Sequence, residues 1–252
     1  MKKIFCAVLA AVMTMMGVCG CDMNKTDKPN TPETVVLTPR QEEILQSQEL
    51  PTRYEELNAT QKAAIVAIEE LLQYAESKYE IALSFGSYTA ADGNDPEQLY
   101  AWPVGGDRET DGFTVERTDE GCRDNYIQAA TRQMYSDYVG AAAAELLGDT
   151  AGKTYAQVVE TGLTAVPEKA EAFDNDAYIN AFVFVDGTAC GEEETKAFAQ
   201  ALTGWMREHG LQGMAEVVLL KPDVLKYLTA YNYVDYMAPE QVLYRDRFYV
   251  DE

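Results

Sequence analysis

Ile179-Asn180-Ala181-Phe182-Val183-Phe184-Val185 is almost unbroken in apolar side chains. A strand with one wet face alternates apolar and polar residues, so this run reads as a strand covered on both faces. Asp186-Gly187 turns the chain. Glu192 to His209 then places Phe198, Ala201, Leu202 and Trp205 at helical spacing, with three acids in the first turn and Gly210 at the stop. The acids suit the positive end of the helix dipole, and glycine suits the left-handed residue after a helix. Ala215 to Leu220 is a second apolar run. Two such strands around one helix predict a β-α-β unit, with a right-handed crossover if the strands are parallel.

Working outward, Pro222 starts a short helix and Val242 to Val250 closes the sheet. Upstream, Thr154 to Glu160 reads as a short helix, and a boundary is expected between Gly148 and Lys153. The first half has its own signals. Thr38-Pro39-Arg40-Gln41 carries a cap, a first-turn proline and a capping-box glutamine, predicting a helix to about Gln48. Asn58 and Gln61 open a second helix, whose Ile65, Ile68, Leu72, Ala75 and Tyr79 form an apolar stripe opposite Lys62, Glu69, Gln73 and Glu76. Strands follow at Ile81 to Phe85, Leu99 to Val104 and Phe113 to Arg117, with a polar loop at Gly105 to Gly112. Asp124 opens a long helix to about Gly148, with Ile127, Ala130, Met134, Tyr138 and Ala142 inward. The expected class is α+β: helices packed on a mostly antiparallel sheet, with one β-α-β unit in the C-terminal half. Residues 38–148 form a helix, three-strand meander and helix domain, and residues 149–252 the domain containing the β-α-β unit.

The N-terminus reads differently. Met1-Lys2-Lys3 is a basic start, Ile4 to Val18 is apolar, and small residues lead to Cys21. This is the pattern of a secretory signal peptide, too short for a comfortable bilayer span, which needs roughly 20 apolar residues. Val18-Cys19-Gly20-Cys21 resembles the lipobox of bacterial lipoproteins, with an aliphatic residue first, a small residue third and the modified cysteine last. The resemblance implies cleavage before Cys21 and a covalent diacylglycerol on its sulfur. It therefore implies a bacterial cell-membrane protein facing outside the cytoplasm. Residues 1–20 are the signal peptide and residues 21–37 a flexible tether. From Asp22 to Leu37 the chain is polar, has Pro29 and Pro32, and could extend on the order of 50 Å. The body, in Asn58 to Phe85 and in Asp124-Asn125-Tyr126, also loosely resembles uncharacterised bacterial lipoproteins, which implies no activity.

Charge narrows the partners. The chain has 20 basic and 42 acidic residues and a net charge of −22, falling to −24 once Lys2 and Lys3 leave with the signal. Nucleic acid is bound by neutralising phosphates, so it is not expected as a partner. An anionic lipid surface would also repel the chain, so the membrane is expected to be held through the lipid anchor only. Of five cysteines, Cys122 and Cys190 remain in the mature body. An exported compartment permits their pairing, and two cysteines alone do not decide it.

Motifs for chemistry are few. Gly148-Asp149-Thr150-Ala151-Gly152-Lys153-Thr154 has three residues between its glycines where a phosphate loop has four, and a helix precedes it where that motif needs a strand. His209 is the single histidine and sits in the last turn of a helix, where a cation is favoured. The acidic clusters Asp92 to Glu97 and Asp174 to Asp176 lack the glycine and terminal glutamate of a calcium loop. No catalytic residue, metal ligand or cofactor is expected. In open α/β sheets ligands lie beyond the carboxyl ends of strands. That rule makes Asp186, Thr188, Cys190, Lys221 and Asp223 the candidate ligand site, for something neutral or cationic, since Glu192, Glu193 and Glu194 flank it. Tyr227, Tyr231, Tyr233, Tyr236, Tyr244, Phe248 and Tyr249 crowd the last quarter and offer rings to a glycan or a partner. The expected function is a non-catalytic binding or interaction module, its partner an envelope protein or polymer. The alternatives are a solute-binding lipoprotein of a transporter and, third, an envelope hydrolase.

Overall fold

The computed structural model describes residues 35–93, 95–148, 152–169, 177–188 and 190–250. The signal peptide, Cys21, most of the tether and the Asp174 to Asp176 cluster lie outside the described residues. Helix α1 spans Pro39–Ser47 and α2 Ala59–Tyr79, each closed by the capping box expected at Thr38/Gln41 and Asn58/Gln61. Strands β1 (Leu83–Thr89), β2 (Glu97–Pro103), β3 (Phe113–Thr118) and β4 (Gly121–Asp124) follow, then helix α3 (Tyr126–Leu147). The second half runs β5 (Gly152–Thr161), β6 (Ala177–Asp186), α4 (Glu192–Glu208), β7 (Gln212–Leu220) and β8 (Val242–Val250). Between β7 and β8 lie 3-10 turns at Leu225–Tyr227 and Tyr233–Met237, where a short helix was expected at Pro222.

The strands form two four-stranded sheets, β1-β2-β3-β4, wholly antiparallel, and β5-β6-β7-β8. In the second sheet only β6 and β7 are parallel, joined through α4, so the class is α+β with one β-α-β unit, as the two apolar runs require. β6 and β7 are central and almost wholly buried. Gly213 makes their pairing possible. It sits at φ +125°, and a Cβ there would lie 2.0 Å from the Ile179 carbonyl oxygen.

Three apolar clusters hold these layers. α1 and α2 cover one face of the first sheet through Ile44, Leu45, Ile65 and Leu72 against Leu99, Phe113 and Val115. α3 and α4 cover one face of the second through Tyr135, Val139, Leu202 and Met206 against Ile179, Val183 and Val217. The far face of that sheet packs Phe182, Phe184 and Val218 against Leu225, Leu228 and Tyr233. Leu37–Glu252 forms one compact unit. Among the described residues no helix is long and apolar enough to cross a membrane.

Several expectations need correcting. Thr154 to Glu160 is a strand, not a helix. Ala156 and Val158 face α3 while Tyr155 packs on the opposite face, the period-two pattern of a pleat. The meander has a fourth strand, β4, where a turn and then a helix start were expected. It pairs with β3 through Cys122 and Arg123, and its four residues are too polar to announce it. Asp124 therefore ends a strand, and α3 begins two residues later. The buried side of α3 is Ile127, Thr131, Tyr135, Val139 and Ala142, with Ala129, Ser136 and Ala143, a position round from the predicted Ala130, Met134 and Tyr138. The shift follows from double duty: Ala129 packs in the first core, while Tyr135, Val139 and Ala143 pack in the second. Likewise α4 buries Ala199 and Met206, whereas Ala201 is exposed and Trp205 half-buried.

Candidate functional site

The C-terminal ends of β6 and β7 do meet, with Asp186 opposite Leu220 in register. The expected site residues gather at that sheet end and are occupied locally. The Asp186 carboxylate accepts the Thr188 N–H at 2.8 Å, closing a turn, and Gly187 N–H donates to the Leu220 carbonyl at 3.0 Å. Cys190 turns inward, its Sγ 3.4 Å from Thr195 Oγ1. Lys221 is exposed, and Asp223, at φ 68°, pairs with Lys226 at 3.3 Å. These groups share a sheet end without converging on a common point.

A concave site lies elsewhere. A cleft of about 610 Å³ opens between α3, β5 and two loops, residues 105–112 from the first half and 229–237 from the second. α3 supplies Asn125, Gln128, Arg132, Gln133 and Ser136; β5 supplies Tyr155 and Gln157; the loops supply Glu109, Thr110, Asp111, Tyr231, Tyr233 and Val234. Gln128, Arg132 and Ser136 recur at helical spacing and, with Asn125 at the helix N-cap, form one polar stripe along a helix that also packs into two cores.

Each wall is braced. Ser136 Oγ donates to the Arg132 carbonyl and accepts the Ala156 N–H of β5, both at 2.9 Å, fixing helix to strand. The Tyr155 and Tyr233 rings stack at 4.7 Å and 10°, and Gln157 Nε2 donates to the Tyr233 hydroxyl at 2.6 Å. Burial raises both phenols above the usual tyrosine range, so they stay protonated at neutral pH. In the first loop the Asp107 carboxylate accepts the N–H groups of Glu109 and Thr110 at 2.8 and 3.0 Å. The Thr110 and Glu109 amides, in that order, hold its carboxyl below the ordinary range. Tyr231 OH donates to Asp107 at 3.2 Å, tying the two loops together. Arg132 reaches the Thr110 carbonyl at 3.5 Å.

The cleft can bind polar groups: amides give and take hydrogen bonds, Arg132 donates, and tyrosine rings offer flat apolar faces. Among the described residues that line it, two carboxylates, Glu109 and Asp111, stand against the guanidinium of Arg132, and none is a histidine or cysteine. His209 is exposed at the end of α4, stacked on Trp205 at 4.4 Å. Of the crowded C-terminal aromatics, Tyr231 and Tyr233 reach the cleft, while Tyr244 and Phe248 pack on the α3/α4 core. In the Asp92 to Glu97 cluster, Glu97 is engaged by Arg117 and by Tyr88 OH at 2.6 Å. Among the described residues no group of three or more acidic, histidine or cysteine side chains is placed for a metal ion. Cys122 and Cys190 are free, on different cores.

Sequence reasoning passed over the α3 stripe because the helix was read for its apolar side. The signal was there: amides and an arginine at spacings of three and four within a helix otherwise rich in alanine. Set against protein families, curated proteins and solved structures, the chain matches none.

Proposed function

We propose that this chain is a non-catalytic binding module, anchored by lipid at Cys21 to the outer face of a bacterial cell membrane, whose ligand lies in the cleft along α3. The observation that carries this reading is the convergence of Arg132, Gln157 and Tyr231 on one cleft from three separate segments, α3, β5 and the 229–237 loop, each held by a hydrogen bond of its own. Preformed concavities with a few convergent polar groups are where ligands bind. The lining favours binding over reaction, since amides and a guanidinium hold a ligand without supplying a nucleophile paired to a base. Anchoring rests on Val18-Cys19-Gly20-Cys21, and the negative charge leaves the lipid as the hold on the membrane.

A transporter receptor is the second reading. Such receptors close two similar lobes on a solute, whereas the sheets here differ, one wholly antiparallel and one carrying a parallel pair. The deciding experiment is crosslinking in intact cells, comparing the natural chain with Arg132→Ala. Capture of an envelope component by the former and its loss in the latter is the expected result. Equal capture by both would remove the cleft from the function.

A further inference from the structure

The cleft does not end at Asn125. A second groove of about 320 Å³ lies on the outer face of the first sheet, lined by Gln98, Thr114, Glu116, Arg123 and Asp124, and it shares Asn125 and Gln128 with the first. The two concavities therefore abut at those residues. From Asn125 to Ser136 the α3 stripe alone covers about 16 Å at the helical rise, and the second groove extends the track across β2, β3 and β4. We infer that the two form one continuous groove for a neutral linear oligosaccharide, with Gln128 at the junction of two subsites. This rests on the binding role proposed above and adds the ligand class.

Three observations select that ligand. The first is the chemistry of the lining. Gln98, Asn125, Gln128, Gln133 and Gln157 each carry donors and acceptors on one planar group. Gln98, Asn125, Gln133 and Gln157 spend one of these on Glu116, the Thr114 N–H, Asp137 and Tyr233, which orients the amide and leaves its remaining capacity to a ligand. Neighbouring sugar hydroxyls, which also donate and accept, match such groups in pairs. The Tyr231 ring, 53% exposed, supplies a flat face for the apolar side of a pyranose, and the Tyr155–Tyr233 stack, in which Tyr233 is buried, backs the wall beside it. The second is charge. Arg123 is paired with Glu116 and Asp124 is buried against Lys78, so Glu109 and Asp111 against Arg132 leave the lining acidic on a chain of net charge −22, and an anionic polymer is repelled. The third concerns peptides. An extended peptide binds most simply by adding a strand to an open sheet edge. Here β5 is an edge strand, and its Ala156 N–H is already taken by Ser136 of α3. The floor is helix in the first cleft and the face of β2, β3 and β4 in the second, whose backbone bonds are internal or within the ladder, so side chains must do the recognising.

The test is titration of the folded body with malto-, cello-, xylo- and N-acetylchito-oligosaccharides of increasing length, followed by amide chemical shifts and calorimetry. One series should bind and tighten with length. Its shift footprint should begin among residues 128–136, 155–157 and 231–233 and spread, for longer members, to Gln98 and Arg123. Gln98→Ala, in the second groove only, should weaken the long members by about tenfold, the loss of one well-placed hydrogen-bonding group, and leave the shortest nearly unchanged. The footprint on the natural chain reads the same groove should the variant fold poorly. Binding of a basic peptide with the same footprint, and of no sugar, overturns the ligand class and keeps the cleft's binding role. A sugar footprint confined to one groove overturns the continuity. No footprint from either ligand, with crosslinking indifferent to Arg132→Ala, overturns both.

Discussion

Asp124 shows how a single side chain can organise its surroundings. Its carboxylate is fully buried and accepts from Lys78 Nζ at 2.7 Å, Tyr79 OH at 2.6 Å, Tyr74 OH at 3.2 Å and the Tyr126 N–H at 3.1 Å. Burial opposes its ionisation, but the bonds from Lys78, Tyr79 and Tyr126 outweigh it and hold the carboxyl below the usual range. The same burial, with the bond to Asp124, pushes the Tyr79 phenol up to about 12. A depressed carboxyl contributes stability that is complete above its unfolded value, about 3.9, and fades as pH falls toward the folded one. Asp124→Asn should therefore cost about 2 kcal/mol at neutral pH, the range for a charge-assisted bond. The gap between the two proteins should narrow in urea titrations below about pH 4. A gap that stays constant with pH would mean that the carboxylate charge is not what holds this junction.

At the scale of elements, β8 is fastened by charge as well as by its ladder. Glu216 is wholly buried in the middle of β7, and Arg245 and Arg247 reach it from β8, Arg247 Nη2 at 2.7 Å. Both arginines also touch solvent, so the partners are unequal. Removing Arg245 and Arg247 together strands a carboxylate in the core and should cost about 3–5 kcal/mol. Glu216→Val frees two cations that water can take, and should be close to neutral. Denaturant melts of the two variants settle the order; equal losses would show that the pairing is symmetric. Pairings of this kind are invisible in a sequence, because neither Glu216 nor the two arginines stand out until register brings them opposite. The β-α-β unit was legible because two apolar runs and a capped amphipathic helix have no simpler reading. β4 was not, since its one apolar side chain, Cys122, sets no period. β5 carried an alternating pattern that lay too close to a helix and a glycine pair to be weighed on its own. Tyr231 and Tyr233 could be named as aromatics of interest, but their meeting with Gln128 and Arg132 depends on a loop returning from over 90 residues later in the chain.

At the scale of the whole molecule, the first prediction concerns place. Cys21→Ala should move the protein from the membrane fraction to the soluble fraction without altering the melt of the body, because the acidic surface offers no second hold. Retention of the variant on membranes would mean that something besides the acyl chains binds there. The second concerns α3, which lies against both cores while presenting its polar stripe to the cleft. A chain cut after Gly148 would leave the first fragment with the bare Tyr135, Val139 and Ala143 face, and the second with β5 and β6 unroofed. Neither fragment should fold soundly alone, and the pair should reassemble only by docking that helix. The helix is thus a keystone: a ligand gripping its polar stripe would steady both sheets in a single act.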